Sequence, residues 1–252
     1  MSESREKSIH QSVAPYTFIA AFYDQLMAHV DYQAWADYLL LCFDRFGRQI
    51  GRVLDGGCGT GSLMIELEAE GLSVAGFDLS FDMAVKARQK GLELVWQGNL
   101  LRPSVRRGTW DCVVSLYDTV QYLTRAEIPL FFQSVEQILC PEGLLIIDLV
   151  TEHHVKNYWA DYTENGEENG FHYCRRSWYD PDVNCQHTLF EIEREEKICY
   201  LEHHFQWIHP ASYIIEQARS SGFALEGLFD ECTFHDATHD SDRIHLIFIR
   251  RP

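Results

Sequence analysis

The stretch VLDGGCGTGSL, Val53 to Leu63, sets four glycines in six positions straight after a short apolar run. Glycine forfeits side-chain packing and is entropically costly, so this density marks a turn where backbone passes close to another group. Between a strand and a helix, such a turn admits two kinds of ligand. A dinucleotide fold wants G-x-G-x-x-G, which lets a pyrophosphate rest on the helix N-terminus. Here the pattern is Asp55-x-Gly57-x-Gly59-x-Gly61, and the third dinucleotide glycine would fall on Ser62. A carboxylate two places before the first glycine repels a pyrophosphate and suits a cation or an amino group.

Around this turn the chain alternates short apolar runs with amphipathic stretches. The runs are RVLD (52–55), SVAGFD (73–78), LELVWQ (92–97), WDCVVSLY (110–117) and GLLIIDLV (143–150), with helices expected at 61–70, 80–90 and 125–139. Continuous apolar strands separated by helices indicate a parallel sheet covered on both faces. The fold class expected is therefore α/β, a doubly wound, mostly parallel seven-stranded Rossmann-like sheet. Upstream, Phe18, Ile19, Phe22 and Leu26 recur at helical spacing within 16–28, as do Trp35, Leu39, Cys42, Phe43 and Phe46 after Asp31. They predict a helical cap over 1–50, ahead of a cofactor-binding core at 51–150. Then FHYCRRSWYD (171–180), CQHTLFEIERE (185–195) and KICYLEHHFQW (197–207) predict three antiparallel strands within an insertion at 151–209. Residues 210–252 supply a last helix, bracketed by Pro210 and Gly222, and two strands, 223–231 and 242–250, that complete the core sheet.

Composition narrows the function classes. The 252 residues carry a formal net charge of -17, from 38 acidic against 21 basic side chains. That surface gives no electrostatic footprint for nucleic acid or an anionic membrane. No stretch approaches the roughly 20 apolar residues of a membrane span, and the polar MSESREKSIHQ lacks a signal-peptide apolar region. The eight cysteines form no C-x-x-C pair, and several sit inside apolar runs. They read as buried thiols of a reduced, cytoplasmic protein. His235 and His239 fall in the turn between the last two strands without a third ligand, so no metal is expected.

With strands and turns placed, the motif resembles that of class I S-adenosylmethionine-dependent methyltransferases over about residues 53–150 and the two terminal strands. The resemblance implies S-adenosylmethionine as cofactor, its methionyl part passing over Asp55, Gly57, Cys58, Gly59 and Gly61. It implies that Asp78, at the end of the second strand, accepts both ribose hydroxyls, with Leu79 and Met83 flanking the adenine. Asn99, with Leu100 beside it, stands where the family commonly has an aspartate facing the adenine amino group; the amide oxygen can accept there too. Ser115 and Tyr117 take the place of the next cofactor-facing segment. Tyr16 and Tyr23 resemble lid residues of small-molecule methyltransferases of the sugar-amine and glycine N-methyltransferase types.

The expected activity is in-line methyl transfer to nitrogen or oxygen of a small molecule. The alternatives are a binding protein without turnover, acting as sensor or scaffold, and a methyltransferase acting on RNA or protein. A nicotinamide oxidoreductase is opposed by the glycine spacing. Base candidates are Tyr117, Asp118, His153, His154, His203 and His204, and none is assigned. On a strand, His203 and His204 point opposite ways, as do Arg175 and Arg176, one of which could meet a carboxylate or phosphate. The aromatic residues Tyr173, Trp178, Phe190, Phe205 and Trp207 fit either a pocket wall or a homodimer face.

Overall fold

The structure is a computed structural model and describes residues 9–46, 49–194 and 198–252. It begins with a strand, β1 (Ile9–Val13), then a single 3-10 turn at Ile19–Ala21 and a four-residue helix, α1 (Tyr23–Leu26). This corrects the longer helix expected at 16–28. Tyr16 is left-handed, φ 64°, and the backbone N–H groups of Tyr16, Phe18 and Ile19 all donate to the carboxylate of Glu202. That remote acceptor draws the segment out of helical geometry, while the three-residue period of the turn still buries Ile19 and Phe22 together. Helix α2 (Tyr32–Arg45) starts cleanly, because the Asp31 carboxylate accepts from Ala34 N at 3.0 Å.

The core follows as β2 (Arg52–Gly56), α3 (Ser62–Ala69), β3 (Ser73–Asp78), α4 (Phe81–Gln89), β4 (Val95–Gln97), β5 (Trp110–Ser115), α5 (Ile128–Ile138) and β6 (Leu139–Val150). A short helix, α6 (Glu152–His154), leads to the insertion strands β7 (Asp161–Glu168), β8 (Phe171–Asp180), β9 (Cys185–Glu193) and β10 (Ile198–Trp207). The chain closes with α7 (Ala211–Ser220), β11 (Phe223–Asp230) and β12 (Arg243–Arg250).

The main sheet runs β11-β12-β6-β5-β2-β3-β4, with β12 antiparallel to both neighbours and the other pairings parallel. Both faces are covered, which is why its strands read as unbroken apolar runs. Val53 packs with α2, α3 and α4, while its neighbour Leu54 packs with α5 and α7 on the other side. At the sheet edge β4 is shorter than the run 92–97 suggested, and Leu94 just before it is 56% exposed.

The second sheet, β1-β10-β9-β8-β7, holds two more strands than expected. One is β7, which pairs with β8 in register from Asp161↔Trp178 to Glu168↔Phe171. The other is β1, which lies parallel to β10 and ties the start of the described chain to the insertion. Residues 1–8 and 47–48 of the expected cap, and Glu195 and Lys197 at the expected strand ends, lie outside the described residues. Among the described residues no helix is long and apolar enough to cross a membrane.

Candidate active site

Strands β2, β3, β4 and β5 end together at one edge of the main sheet, over a cavity of about 520 Å³. At its floor the glycine turn satisfies its own donors. Gly57 N and Cys58 N donate to Phe77 O at 2.7 and 3.1 Å, and Gly59 N donates to Asp78 Oδ2 at 2.9 Å. Those N–H groups are therefore not free to cradle a pyrophosphate, which agrees with the spacing that opposed a dinucleotide. The turn needs glycine for two different reasons. Gly57 has φ +84°, and a Cβ there would lie 2.2 Å from Thr119 Cγ2. Gly59 has φ +55° with nothing within 4 Å of a Cβ, so its backbone borders the open cavity itself.

Two carboxyls face this space from successive strand ends. Burial, and then the charge of Asp78, pushes Asp55 up to about 7. Burial also raises Asp78, against the pull of N–H bonds from Ser80 at 2.8 Å and Gly59. Among the described residues neither is ion-paired with a cationic side chain. Each oxygen of Asp78 has taken one N–H and keeps a lone pair for a further donor.

Twelve residues singled out from the sequence line this cavity: Tyr16, Tyr23, Asp55, Gly57, Cys58, Gly59, Asp78, Leu79, Met83, Asn99, Leu100 and Tyr117. Gly61 and Ser115 stand off the wall. Gly61 is the N-cap of α3, and the buried Ser115 hydroxyl donates to Gly56 O at 2.8 Å. Asn99 Oδ1 accepts from Leu101 N at 2.8 Å, so one lone pair of that oxygen remains.

Tyr16 is held over the cavity from two sides. Its N–H donates to Glu202 at 2.8 Å and its carbonyl accepts from Ser80 Oγ at 3.1 Å. The N-terminal segment is tied down further by Lys90 Nζ, which donates to Asp24 at 2.8 Å and to Ser62 Oγ at 2.9 Å. The Tyr16 hydroxyl lies 2.6 Å from that of Tyr122, which in turn lies 2.9 Å from His204 Nδ1. Burial holds both phenols well above the ordinary tyrosine range.

Behind Tyr16, Tyr23, Tyr117 and Tyr122, which border both spaces, a second cavity of about 190 Å³ lies between the two sheets. On its main-sheet side Arg243 is ion-paired with Asp118 and Asp148. Burial pushes the fully buried Asp148 up to about 6, with the Arg243 guanidinium opposing. On the insertion side stand Arg175, Phe190 and His204. His203 points the other way, 4.1 Å from Phe205 between ring centroids. Of the insertion aromatics, Tyr173 and Phe190 are buried inward, whereas Trp178 and Phe205 are exposed on the outer face. Among the base candidates Asp118 is thus occupied by Arg243, and His204 is the one of its pair that reaches a cavity.

Sequence reasoning missed Tyr122, Glu202, Asp148 and Arg243. Asp148 carried a signal, a lone carboxylate inside the apolar run GLLIIDLV. Glu202 carried none, because a strand glutamate is ordinarily solvated and its partners lie far away in sequence.

Residues 53–143 match a family model described as a methyltransferase domain. A putative methyltransferase YqeM of Bacillus subtilis (strain 168) is 28% identical over 237 residues, 91% of this chain and 94% of that protein. An S-adenosylmethionine-dependent methyltransferase from Clostridium acetobutylicum has the same fold, with TM-score 0.78 and 20% identity over 94% of this chain and 99% of that one. So does the sugar N-methyltransferase KedS8 from Streptoalloteichus, with TM-score 0.76 and 18% identity over 100% of this chain and 99% of that one. This domain match spans the glycine turn and both acidic strand ends, and the chain shares the fold of S-adenosylmethionine-dependent methyltransferases.

Proposed function

We propose that this chain is a class I S-adenosylmethionine-dependent methyltransferase that methylates nitrogen or oxygen of a small molecule, with the cofactor in the larger cavity and the acceptor in the smaller one. The observation that carries this reading is the row of tyrosines, Tyr16, Tyr23, Tyr117 and Tyr122, that borders both spaces. An acceptor space enclosed between two sheets suits a metabolite better than an RNA or a protein. The sugar N-methyltransferase with the same fold supports an acceptor of this size.

When bound, S-adenosylmethionine supplies a methyl group activated on a sulfonium. The residues present fit that group: two buried carboxyls without cationic partners, a bare glycine backbone and apolar side chains at the rim. In this reading Asp78 accepts from the ribose hydroxyls with its remaining lone pairs. Asp55 faces the cationic methionyl end, and Gly57, Cys58 and Gly59 let that end approach the backbone. Leu79, Met83 and Leu100 flank the adenine, with Asn99 at its amino edge. Tyr16, Tyr23 and Tyr117 close over the methionyl end, excluding water and offering ring faces to a cation. The main contribution to rate is alignment, since no bond in the protein is made or broken. The hydroxyl chain Tyr16–Tyr122–His204 offers a route by which a proton can leave the acceptor. Gly61 and Ser115 shape the turn and strand end without touching the cofactor.

The division of labour follows: a cap at 1–50, a cofactor-binding core at 51–150, a substrate cover at 151–209 and a sheet-completing tail at 210–252. Eight free cysteines support placement in a reducing compartment, the cytoplasm. Calorimetric titration with S-adenosylmethionine, S-adenosylhomocysteine and NAD tests the cofactor assignment. Both adenosyl compounds bind and NAD does not; failure of both to bind ends the reading. Labelled methyl transfer to RNA or protein, and never to a small molecule, would overturn the acceptor class.

A further inference from the structure

Arg175 projects from the inner face of β8 into the smaller cavity. Aromatic rings hold its guanidinium in place, with the carbon 4.2 Å from the centroid of Trp159 and 5.6 Å from that of Phe190. Its Nε is buried without a hydrogen-bond partner. Among the described residues one carboxylate comes within 4.0 Å, Glu164, at 3.9 Å from Nη1 and beyond hydrogen-bond reach. Glu164 is already engaged, since Tyr162 donates to its Oε2 at 3.1 Å and Tyr173 to its Oε1 at 3.4 Å. An arginine cannot relieve such burial by shedding its proton. The Arg175 side chain is 25% exposed, so water reaches part of it, but the buried Nε with no partner is satisfied by an anion or is a standing cost.

From this we infer that Arg175 anchors a carboxylate of the acceptor, which makes the substrate a small organic acid bearing the nitrogen or oxygen to be methylated. The inference rests on the two-cavity reading above. A carboxylate matches the flat fork of donors with two parallel hydrogen bonds. It also matches the charge. The cavity's other arginine, Arg243, is shared between Asp118 and Asp148, so Arg175 is the cavity arginine with donors left for a monoanion. A dianionic phosphate would add a second negative charge near Asp118, Asp148 and the buried Glu202, which already outnumber Arg243. The volume of about 190 Å³ limits the acid to a compact metabolite. With its carboxylate on Arg175, the far end of the molecule points to the tyrosines and the cofactor space.

The test is calorimetry on full-length enzyme saturated with S-adenosylhomocysteine. The probes are β-alanine, serine and lactate, each paired with its carboxamide, together with phosphoethanolamine. At least one carboxylate binds about 10- to 100-fold more tightly than its carboxamide, the range for hydrogen bonds to a charged group. Arg175→Met keeps the aliphatic stem over Trp159 and erases that preference, while S-adenosylhomocysteine affinity stays within about twofold, because Arg175 does not line the larger cavity. Arg175→Lys retains the charge without the fork and keeps a weakened preference. Equal affinity for acids and amides, a preference that survives Arg175→Met, or no binding by any probe overturns the proposal. Tighter binding of phosphoethanolamine than of every carboxylate overturns the choice of anion. If S-adenosylhomocysteine itself fails to bind the unaltered enzyme, it is the cofactor reading that has failed.

Discussion

Arg243 and Arg175 face one cavity from opposite sheets, and among the described residues carboxylates lie within hydrogen-bond reach of the first but not of the second. Arg243 grows from β12 of the main sheet and meets Asp118 and Asp148. Arg175 grows from the insertion and meets ring faces, with one distant carboxylate. The wall that belongs to the main sheet thus pairs its own cation. The wall that belongs to the insertion leaves donors open. An ion pair that serves the fold has to be intact without ligand, whereas a group that serves recognition has to be left incomplete.

The largest effect tests that contrast directly. Arg243→Met leaves Asp118 and the fully buried Asp148 without their cation, and costs about 3–5 kcal/mol of stability, as for other broken buried pairs. Arg175→Met leaves no comparable orphan and changes stability by about 1 kcal/mol or less, in either direction. Urea unfolding of the two variants measures both. An Arg175 variant that unfolds as readily as the Arg243 one would make Arg175 a structural residue after all.

The same division separates two glycines of one turn. Gly57→Ala forces a left-handed alanine, at about 1–2 kcal/mol, and drives its methyl into Thr119, at about 1–3 kcal/mol more. Gly59→Ala incurs the backbone term alone, because its methyl enters open space. That space is where the cofactor is proposed to pass, so Gly59→Ala loses more S-adenosylmethionine affinity than stability. Thermal unfolding beside calorimetric titration distinguishes the two, and equal losses on both readouts for Gly59 would remove its backbone from the binding surface.

What could be read in the sequence follows the same line. The main sheet was legible because burial on both faces writes itself locally, as in Val53 and Leu54 or GLLIIDLV. The acidic strand ends and the glycine turn were legible because their spacing is fixed within a few residues. The N-terminal lid was not. IHQSV carries no alternating pattern, and its partner, β10, lies almost two hundred residues away. The helical spacing of 16–28 was present but was overruled by Glu202, three of whose bonds no local rule anticipates. Arg175 and Arg176 were rightly expected to part, yet only the packed insertion shows that Arg176 meets Glu191 while Arg175 turns inward.

Asp78→Ala probes a carboxyl that serves the fold and is proposed to serve the cofactor. Its two N–H bonds order the glycine turn, and its remaining lone pairs are proposed to take the ribose hydroxyls. Loss of affinity for S-adenosylhomocysteine of about 1.5–3 kcal/mol is expected. Asp78→Asn, which keeps the carbonyl oxygen but not the charge, falls between that variant and the unaltered enzyme. Affinity unaffected by either change would leave Asp78 a turn-ordering residue alone.

The smallest effect sharpens the comparison most, because fold and ligand pull one group in opposite directions. Asp55 is carried by burial from about 3.9 in an unfolded chain to about 7 in the folded one. Between those values the folded protein holds a proton that the unfolded chain releases. The stability this confers on the ligand-free enzyme is therefore present below about pH 4 and lost as pH rises through about 7. In the proposed site cofactor binding needs the ionised carboxylate opposite a cation, so its affinity is expected to climb over the upper part of that window. With a group titrating near 7, the gain from about pH 6 to about pH 8 is roughly tenfold, or about 1.4 kcal/mol. Asp55→Asn flattens both profiles, weakening S-adenosylmethionine binding at high pH while making the ligand-free protein more stable there. Affinity and stability slopes of the same sign would place Asp55 outside the binding site, as a buried acid tolerated by the fold.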